Sequence, residues 1–326
     1  MLIQILMSTY NGEEYLTEQL DSLLSQTIME KEGWEMKILI RDDGSKDRTC
    51  DILQDYAKKD SRIRYVACAN EGVIHSFFEL IDLSEKDADY LAFCDQDDVW
   101  MPEKLERAVT KLTERAKAVS SPAVGSPTVD SLAADKPLLY CSRPLLTDSS
   151  LNPIDTVWLG GKLRPSFGNA LVENICVGCT CVINRALADF LRLGRPSYTT
   201  MHDRWFYLVA SCFGEVYYDT KAQIYYRQHG GNAVGMKKNH IQEFVQRMQS
   251  YRKKRGSNMR QAQAFLDFCK EYDLAIPKSQ KKLVKDMANM KKYPKARWRL
   301  LKNKAVYRQR RGDDLVFKLL ILLGEG

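Results

Sequence analysis

The sequence lacks the glycine-rich loops with which many nucleotide-binding proteins cradle phosphate groups. The first apolar segment, Leu2–Met7, is followed by neither a Gly-x-Gly-x-x-Gly fingerprint nor a Gly-Lys-Ser/Thr loop. A dinucleotide-binding domain or a P-loop NTPase needs such a loop, because its backbone N–H groups must approach the phosphates closely. The sequence therefore argues against both classes.

Signals for export, for a membrane span and for a zinc site are also missing. No basic region precedes the first apolar segment, and the apolar run Leu315–Leu323 is too short to cross a bilayer. Cysteines number nine, and the group formed by Cys176, Cys179 and Cys181 has no second pair nearby to complete a zinc site. We expect reduced thiols, mostly buried, in a cytoplasmic protein.

Charge is distributed unevenly along the 326 residues. Residues 1–236 carry a net charge of −9, whereas residues 237–311 contain 23 Lys and Arg against 5 Asp and Glu. Such a basic segment favours a polyanionic partner, either nucleic acid or an anionic membrane surface. Residues 236–311 have a helical pattern with interspersed aromatics, so we expect basic helices that contact an anionic membrane. The alternative is a helical subdomain docked on the sheet with a solvated basic face.

Apolar strands alternate with amphipathic helices through the first half of the chain. This order predicts an α/β fold with a mostly parallel, doubly wound sheet flanked by helices. The predicted strands are Leu2–Met7, Trp34–Ile40, Ile63–Ala67, Tyr90–Cys94, Leu138–Cys141, Ile175–Ile183, Glu215–Asp219 and Ala222–Arg227. The predicted helices after residue 100 are Pro102–Lys117, Arg185–Leu193 and a helix that opens at Met201 and ends at Phe213. Residues 118–137 are predicted to form a surface loop.

Two of the predicted strands end in groups of carboxylates, namely Asp42, Asp43, Asp95, Asp97 and Asp98. Because parallel strands end on one edge of a sheet, these acids should converge with Thr9 and Tyr10 in one cleft. Crowded carboxylates repel one another unless a cation lies among them, and their oxygens suit Mg²⁺ or Mn²⁺. The sequence therefore predicts a divalent metal that holds a phosphorylated ligand. A solvated acidic turn that caps the next helix is the alternative.

Two later segments supply further candidate groups. Asp203 lies in the first turn of a predicted helix, where it either complements the helix dipole or acts as a general base. Arg227 and His229 follow the last predicted strand and are candidates to face a diphosphate or its metal. A single histidine is often structural, so that alternative stays open for His229.

Five motifs resemble those of family 2 inverting glycosyltransferases with the GT-A fold, a Rossmann-like α/β fold. In chain order they are Met7–Gly12, Ile40–Ser45, Phe93–Trp100, His202–Asp203 and Tyr226–His229. Their order and spacing are similar to the family's across residues 1 to about 235. The Asp-Gln-Asp-Asp-Val-Trp and Met-His-Asp forms look like those of bacterial, streptococcal-type rhamnosyltransferases of cell-wall or capsular polysaccharide synthesis. The resemblance implies a GT-A catalytic domain over residues 1–235 and a C-terminal basic helical region over residues 236–326.

The resemblance also implies roles for individual residues. Asp203 matches the catalytic base, and Asp97 of the Asp-x-Asp motif matches the ligand of Mn²⁺ or Mg²⁺, with Asp95 and His229 as further metal ligands. Donor contacts are implied for Ser8, Thr9, Tyr10, Asn11, Asp42, Asp43, Asp95 and Arg227. Acceptor contacts are implied for Trp100, Gly178, Cys179 and His202. Cys179 departs from the family pattern, which has a glycine-rich loop there.

The implied reaction moves L-rhamnose from dTDP-β-L-rhamnose onto a polyprenyl-diphosphate-linked glycan at the inner face of the cell membrane. A transferase of the same fold that uses a UDP-hexose is the closest alternative. A metal-binding regulatory domain of the receiver type would also cluster acids at strand ends, but it would leave His202 and Asp203 unused. No element that reads nucleic acid is found, so we expect no such partner. The basic region serves membrane association, homodimer formation or both.

Overall fold

The structure is a computed structural model that describes residues 1–118, 135–154, 163–229 and 256–325. The predicted loop over residues 118–137 falls almost wholly outside these ranges, as does the start of the predicted basic region up to residue 255. The strands are β1 Leu2–Thr9, β2 Glu35–Asp42, β3 Ile63–Ala67, β4 Tyr90–Cys94, β5 Val99–Trp100, β6 Leu138–Ser142, β7 Leu145–Thr147, β8 Val182–Asn184, β9 Glu215–Asp219 and β10 Ile224–Arg227.

A seven-stranded sheet in the order β3-β2-β1-β4-β8-β6-β9 forms the centre of the fold. Parallel pairing joins β1 to β2 and β4, β2 to β3, and β6 to β9. Strand β8 runs antiparallel to both of its neighbours, β4 and β6. The prediction of a mostly parallel sheet is thus confirmed, with β8 as the reversed strand.

A second, three-stranded sheet has the order β5-β10-β7 and lies at the candidate cleft. Strand β10 pairs antiparallel with β5 and parallel with β7. The loop of residues 95–98, called the acidic loop below, connects β4 to β5. Because β10 pairs with β5, Arg227 at the end of β10 lies beside Asp98. The backbone N–H of Arg227 donates to Asp98 Oδ1 at 3.2 Å.

Helices flank the large sheet, and four more lie within residues 256–325. They are α1 Leu16–Leu24, α2 Thr49–Lys59, α3 Val73–Leu83, α4 Lys104–Ala118, α5 Phe167–Ala170, α6 Arg185–Arg192, α7 His202–Phe213, α8 Ser257–Glu271, α9 Lys278–Asn289, α10 Pro294–Lys302 and α11 Arg311–Leu323. Short 3₁₀ turns cover Thr27–Glu30 and Gly178–Thr180. None of the helices that the structure describes is both long and apolar enough to cross a membrane.

The predicted strand Ile175–Ile183 is wrong over most of its length. The N–H of Thr180 donates to Val177 O at 2.9 Å, and that of Cys181 donates to Gly178 O at 2.9 Å. The Thr180 hydroxyl also donates to Val177 O, at 2.7 Å. These local bonds close a 3₁₀ turn, because a threonine hydroxyl offers the backbone an alternative to ladder pairing.

The prediction of helix throughout residues 236–311 is also wrong for residues 272–277, 290–293 and 303–310, which separate the described helices. The longest of these segments, residues 303–310, lies between α10 and α11. There the Asn303 side chain accepts the N–H of Ala305 at 2.9 Å, and Asp314 accepts the N–H of Arg308 at 2.9 Å. Side chains that bond nearby backbone N–H groups favour turns over helix.

The large sheet buries apolar residues on both faces. Strand β1 sends Leu6 to one cluster and Ile5 and Met7 to the other, as the alternation of side chains along a strand requires. The first cluster continues into the C-terminal helices through residues such as Phe265 and Phe317. The basic region is therefore packed against the rest of the protein through a shared core.

Candidate active site

The ends of β1 and β2 lie side by side and form one wall of the cleft. Thr9 pairs in register with Asp42, and its hydroxyl donates to Asp42 Oδ1 at 3.0 Å. The second oxygen of Asp42 accepts the N–H of Gly44 at 3.1 Å and that of Ser45 at 2.8 Å. Thr9 and Asp42 are each 1% exposed, so they shape the floor of the cleft. The neighbouring Ser8 hydroxyl lies 2.6 Å from that of Ser76.

Asp43 fixes the turn that enters α3. It accepts the backbone N–H groups of Glu71 and Gly72 at 2.9 and 2.8 Å, and it also receives the Arg41 guanidinium. Burial alone would raise the pKa of Asp43, but these hydrogen bonds outweigh it and hold the pKa below its usual range. Asp43 is therefore a carboxylate that is already fully engaged by the protein.

Gln96, between the two acids of the Asp-x-Asp motif, ties that motif to the segment after β1. Its Oε1 accepts the Tyr10 N–H at 2.7 Å, and its Nε2 donates to the Tyr10 carbonyl at 3.0 Å. A Cβ on Gly12 would clash with Gln96 Oε1, so a larger residue there would have to displace the Gln96 side chain from Tyr10. Tyr10 is 46% exposed at the rim, and the Asn11 N–H donates to Ser45 Oγ at 2.9 Å.

The acidic loop after β4 brings its carboxylates to the centre of the cleft. Asp97 Oδ2 lies 2.8 Å from His229 Nε2, and both side chains are partly buried. One ligand atom each of Asp95, Asp98 and Cys179 lies within 4.8 Å of the other two. Burial raises the pKa of Asp95 and of Asp98, and the carboxylate of Asp97 raises both further. These crowded carboxyl groups therefore hold their protons more tightly than ordinary aspartates, and a cation among them would favour their ionised forms.

This donor set fits a hard divalent cation. Asp98 is fully buried, and its Oδ2 has no hydrogen-bond partner within the described ranges. An uncompensated buried carboxylate is costly, and a cation held nearby by Asp97 and His229 would lower that cost. Carboxylate ligands suit Mn²⁺ or Mg²⁺, and an imidazole ligand is more readily accepted by a transition metal such as Mn²⁺ than by Mg²⁺.

Arg227 is 2% exposed and lies behind the acidic loop. Its Nε donates to the Asp97 carbonyl at 2.9 Å, and its guanidinium also donates to Ser149 O and to the Glu18 carboxylate. The guanidinium carbon lies 4.4 Å from the centre of the Tyr15 ring. In this arrangement Arg227 positions the loop that carries Asp97.

Asp203 lies at the start of α7 and is 7% exposed. Its Oδ2 accepts the Gly178 N–H at 3.1 Å, and its Oδ1 accepts the Arg204 N–H at 2.6 Å. Burial raises the pKa of Asp203 to about 6, although these N–H groups oppose the shift. Asp203 is thus a fixed carboxyl group with a raised proton affinity, and its charge contributes to the raised pKa of Asp95.

The four residues predicted to contact the acceptor are all buried. Cys179 is 0% exposed and Trp100 and His202 are each 2% exposed, while Gly178 belongs to the buried 3₁₀ turn. His202 packs on Phe77 with ring centroids 4.0 Å apart, and burial lowers its pKa to about 3. A neutral imidazole therefore supports the turn that holds Asp203.

Sequence reasoning missed a buried cation beneath the acidic loop. Lys104 is 0% exposed, and its Nζ lies 3.4 Å from the centre of the Trp100 ring. Burial lowers its pKa to about 8. No sequence signal distinguishes Lys104 from the other cations of α4, because its burial depends on how the helix packs.

The fold and the site define a class of protein. Residues 4–190 match the family model described as glycosyl transferase family 2, and the chain belongs to that family. It therefore is a glycosyltransferase, and its fold is of the GT-A type.

Three individual proteins that match this chain share about a third or less of the aligned residues with it. The dTDP-rhamnosyl transferase RfbG of Shigella flexneri is 28% identical over 242 residues, covering 70% of this chain and 73% of RfbG. TuaG of Bacillus subtilis, assigned to teichuronic acid biosynthesis, is 32% identical over 151 residues, covering 46% of this chain and 57% of TuaG. Residues 1–349 of S. aureus TarS in complex with UDP-GlcNAc superpose with a TM-score of 0.53 at 18% identity, covering 99% of this chain and 91% of that one. The TarS similarity supports the fold.

Proposed function

We propose that this glycosyltransferase moves L-rhamnose from dTDP-β-L-rhamnose to a hydroxyl of a lipid-linked glycan, with inversion at the anomeric carbon. The observation that carries the chemistry is Asp203, a buried carboxyl group fixed by two backbone N–H groups, with a pKa of about 6. Such a group is ionised at neutral pH and accepts a proton more readily than an ordinary aspartate. The similarity to RfbG supports the choice of donor.

The donor side of the cleft is built from rigid parts. Thr9 and Asp42 form its floor, and the exposed ring of Tyr10 stands at its rim. Asp97 and His229 would hold the metal, and Asp95 is close enough to Asp97 for their charges to interact. When bound, Mn²⁺ or Mg²⁺ supplies positive charge that offsets the charge of the departing diphosphate.

On the acceptor side, Asp203 takes the proton from the attacking hydroxyl group. The bond between that oxygen and the anomeric carbon forms as the bond to the β-phosphate oxygen breaks. The electron pair of the broken bond leaves with dTDP, and the proton stays on Asp203. Because this is one displacement from the face opposite the leaving group, a β-linked donor gives an α-rhamnoside.

A UDP-hexose is the alternative donor. TarS has been solved with UDP and with UDP-GlcNAc in a fold that superposes on this one. A change of donor sugar would leave the assignments of Asp97 and Asp203 in place.

The test is release of nucleoside diphosphate from dTDP-rhamnose, UDP-glucose, UDP-galactose and UDP-GlcNAc. Each donor is assayed with Mn²⁺, with Mg²⁺ and with EDTA, in the presence of polyprenyl-diphosphate-linked glycans. We expect metal-dependent turnover with dTDP-rhamnose, and we expect Asp203→Asn to abolish it. Asp55→Asn is the matched control, because Asp55 lies on α2 with a side chain that is 65% exposed. Turnover with UDP-sugars alone would replace the donor, and an active Asp203→Asn variant would overturn the base.

A further inference from the structure

The C-terminal helices α9 to α11 carry a large excess of positive charge. Residues 278–323 contain 15 Lys and Arg and three acidic residues, Asp286, Asp313 and Asp314. Asp286 is buried and is already paired with Arg299, whose Nε lies 2.7 Å from Asp286 Oδ2. The excess is therefore not offset within the segment, and it favours an anionic partner.

Helix α11 also exposes a stripe of leucines. Leu315, Leu319, Leu322 and Leu323 are 63, 52, 47 and 67% exposed. Their i, i+4, i+7, i+8 spacing puts them on one side of the helix, while Phe317 and Ile321 point into the core. Contiguous exposed apolar residues on an otherwise charged surface mark an interaction site.

Helix α10 adds an exposed tryptophan between lysines. Trp298 is 60% exposed, and Lys295 and Lys302 lie one turn before and one turn after it on the same exposed face. Tryptophan with neighbouring lysines is the arrangement of a membrane interface, because the indole enters the headgroup level and the amines reach the lipid phosphates.

A basic cleft between α9 and α10 is the third feature of the C-terminal region. Its volume is about 500 Å³, and its cationic lining includes Lys278, Lys281, Lys282, Lys285 and Arg299. A cleft with that lining suits phosphate groups. The cleft, Trp298 and the leucine stripe together are called the C-terminal docking surface below.

We propose that the C-terminal docking surface binds an anionic bilayer. The leucine stripe and Trp298 enter the interfacial region, and the lysines contact the headgroups of anionic lipids. A second copy of the chain is the poorer occupant, because like charges would face each other across a symmetric contact. Nucleic acid would use the lysines but would leave the leucine stripe exposed to water. This inference stands independently of the donor and acceptor proposed above.

The test is co-sedimentation of the full chain with vesicles of phosphatidylcholine alone or mixed with phosphatidylglycerol. We expect binding to the mixed vesicles that weakens as salt increases, and little binding to phosphatidylcholine alone. Substituting Leu315, Leu319 and Leu322 together by Gln should weaken binding more than about tenfold. The matched control is Leu83→Gln on α3, where the leucine is 46% exposed.

A second set of variants tests the charges. Lys281→Gln, Lys282→Gln, Lys295→Gln and Lys302→Gln should each weaken binding about fivefold. Lys58→Gln and Lys59→Gln on α2 serve as the matched controls. Release of nucleoside diphosphate in the absence of vesicles should be the same in all variants as in the wild-type protein. Unchanged release shows that the variants fold, so that weaker vesicle binding is then a property of the C-terminal docking surface.

Three outcomes would overturn the proposal. One is equal vesicle binding by the leucine variant and the wild-type protein. Another is a dimer, seen by light scattering, that the leucine substitutions dissociate, since a second copy would then be the occupant. The third is binding to duplex or single-stranded nucleic acid that competes with vesicles and depends on the same lysines.

Discussion

Replacing Asp203 by Asn is expected to stabilise the protein at neutral pH while removing its activity. The carboxyl group is 7% exposed, and burial raises its pKa from the usual 3.8 to about 6. A shift of about 2 pH units corresponds to about 3 kcal/mol that the folded protein loses when Asp203 is ionised. Asn carries no charge, so the variant does not lose this stability. It does lose one acceptor for a backbone N–H, which is worth about 1 kcal/mol.

The sign follows from the two pKa values. Below about pH 4 the group is protonated in both the folded and the unfolded state, so its burial carries no ionic cost. Above about pH 6 it is ionised in both states, and the full cost is present. The wild-type protein should therefore lose more stability than the Asn variant as pH rises through this window, since Asp95 and Asp98, whose pKa values are also raised, are present in both. At neutral pH the variant should be more stable by about 2 kcal/mol.

Urea unfolding at about pH 4.5 and about pH 7.5 measures the stability difference, and nucleoside diphosphate release measures turnover. Turnover of Asp203→Asn should fall by about two to four orders of magnitude, and the wild-type rate should rise with an apparent pKa near 6. A variant within about tenfold of wild-type turnover would refute the role as base. A wild-type protein that loses no more stability than the variant between these two pH values would refute the account of burial.

Four further substitutions probe the loop after β4 and the residues close to it. Gln96→Ala should raise KM for the donor about tenfold with little change in kcat, because it frees Tyr10 from the Asp-x-Asp motif. Gly12→Ala should raise KM more in the wild-type protein than in the Gln96→Ala variant, because its clash is with the Gln96 side chain, and additive effects would contradict this pairing. Asp97→Asn should weaken Mn²⁺ binding, followed by electron paramagnetic resonance, more than about tenfold, and unchanged affinity would exclude Asp97 as a ligand. Lys104→Met should raise the free energy of unfolding at neutral pH by up to about 3 kcal/mol, because burial lowers the pKa of the amine to about 8 and its charged form therefore destabilises the folded protein. Urea titrations above about pH 10 should show no such gain, because the amine is then neutral in the folded protein.

The position of the cleft could be predicted from the sequence because parallel strands end on one edge. Asp42 and Asp97 lie at the ends of β2 and β4, on either side of β1, as the alternation of strands and helices requires. The prediction needed chain direction and burial pattern alone, both of which the sequence carries.

Features that depend on packing between distant segments could not be predicted in the same way. The pairing of Gln96 with Tyr10 joins two loops that are 86 residues apart. The burial of Trp100 depends on the pairing of β5 with β10, and that of His202 depends on which side of α7 meets the sheet. The sequence alone suggests that both residues line the cleft, because Trp100 follows Asp98 by two residues and His202 directly precedes Asp203.

The C-terminal region packs against α7, the helix that carries the candidate base Asp203. Trp205 lies two residues after Asp203 and packs on Phe265 and Phe268 of α8, with ring centroids 5.9 and 5.2 Å away. Arg204, whose N–H donates to Asp203, donates from Nη2 to Asn258 Oδ1 at 2.6 Å. Helix α7 is thus fixed by the α8 residues that it contacts, and the placement of Asp203 depends on α8 remaining docked. A boundary near residue 235 therefore marks a change in composition and charge, whereas the apolar core runs across it.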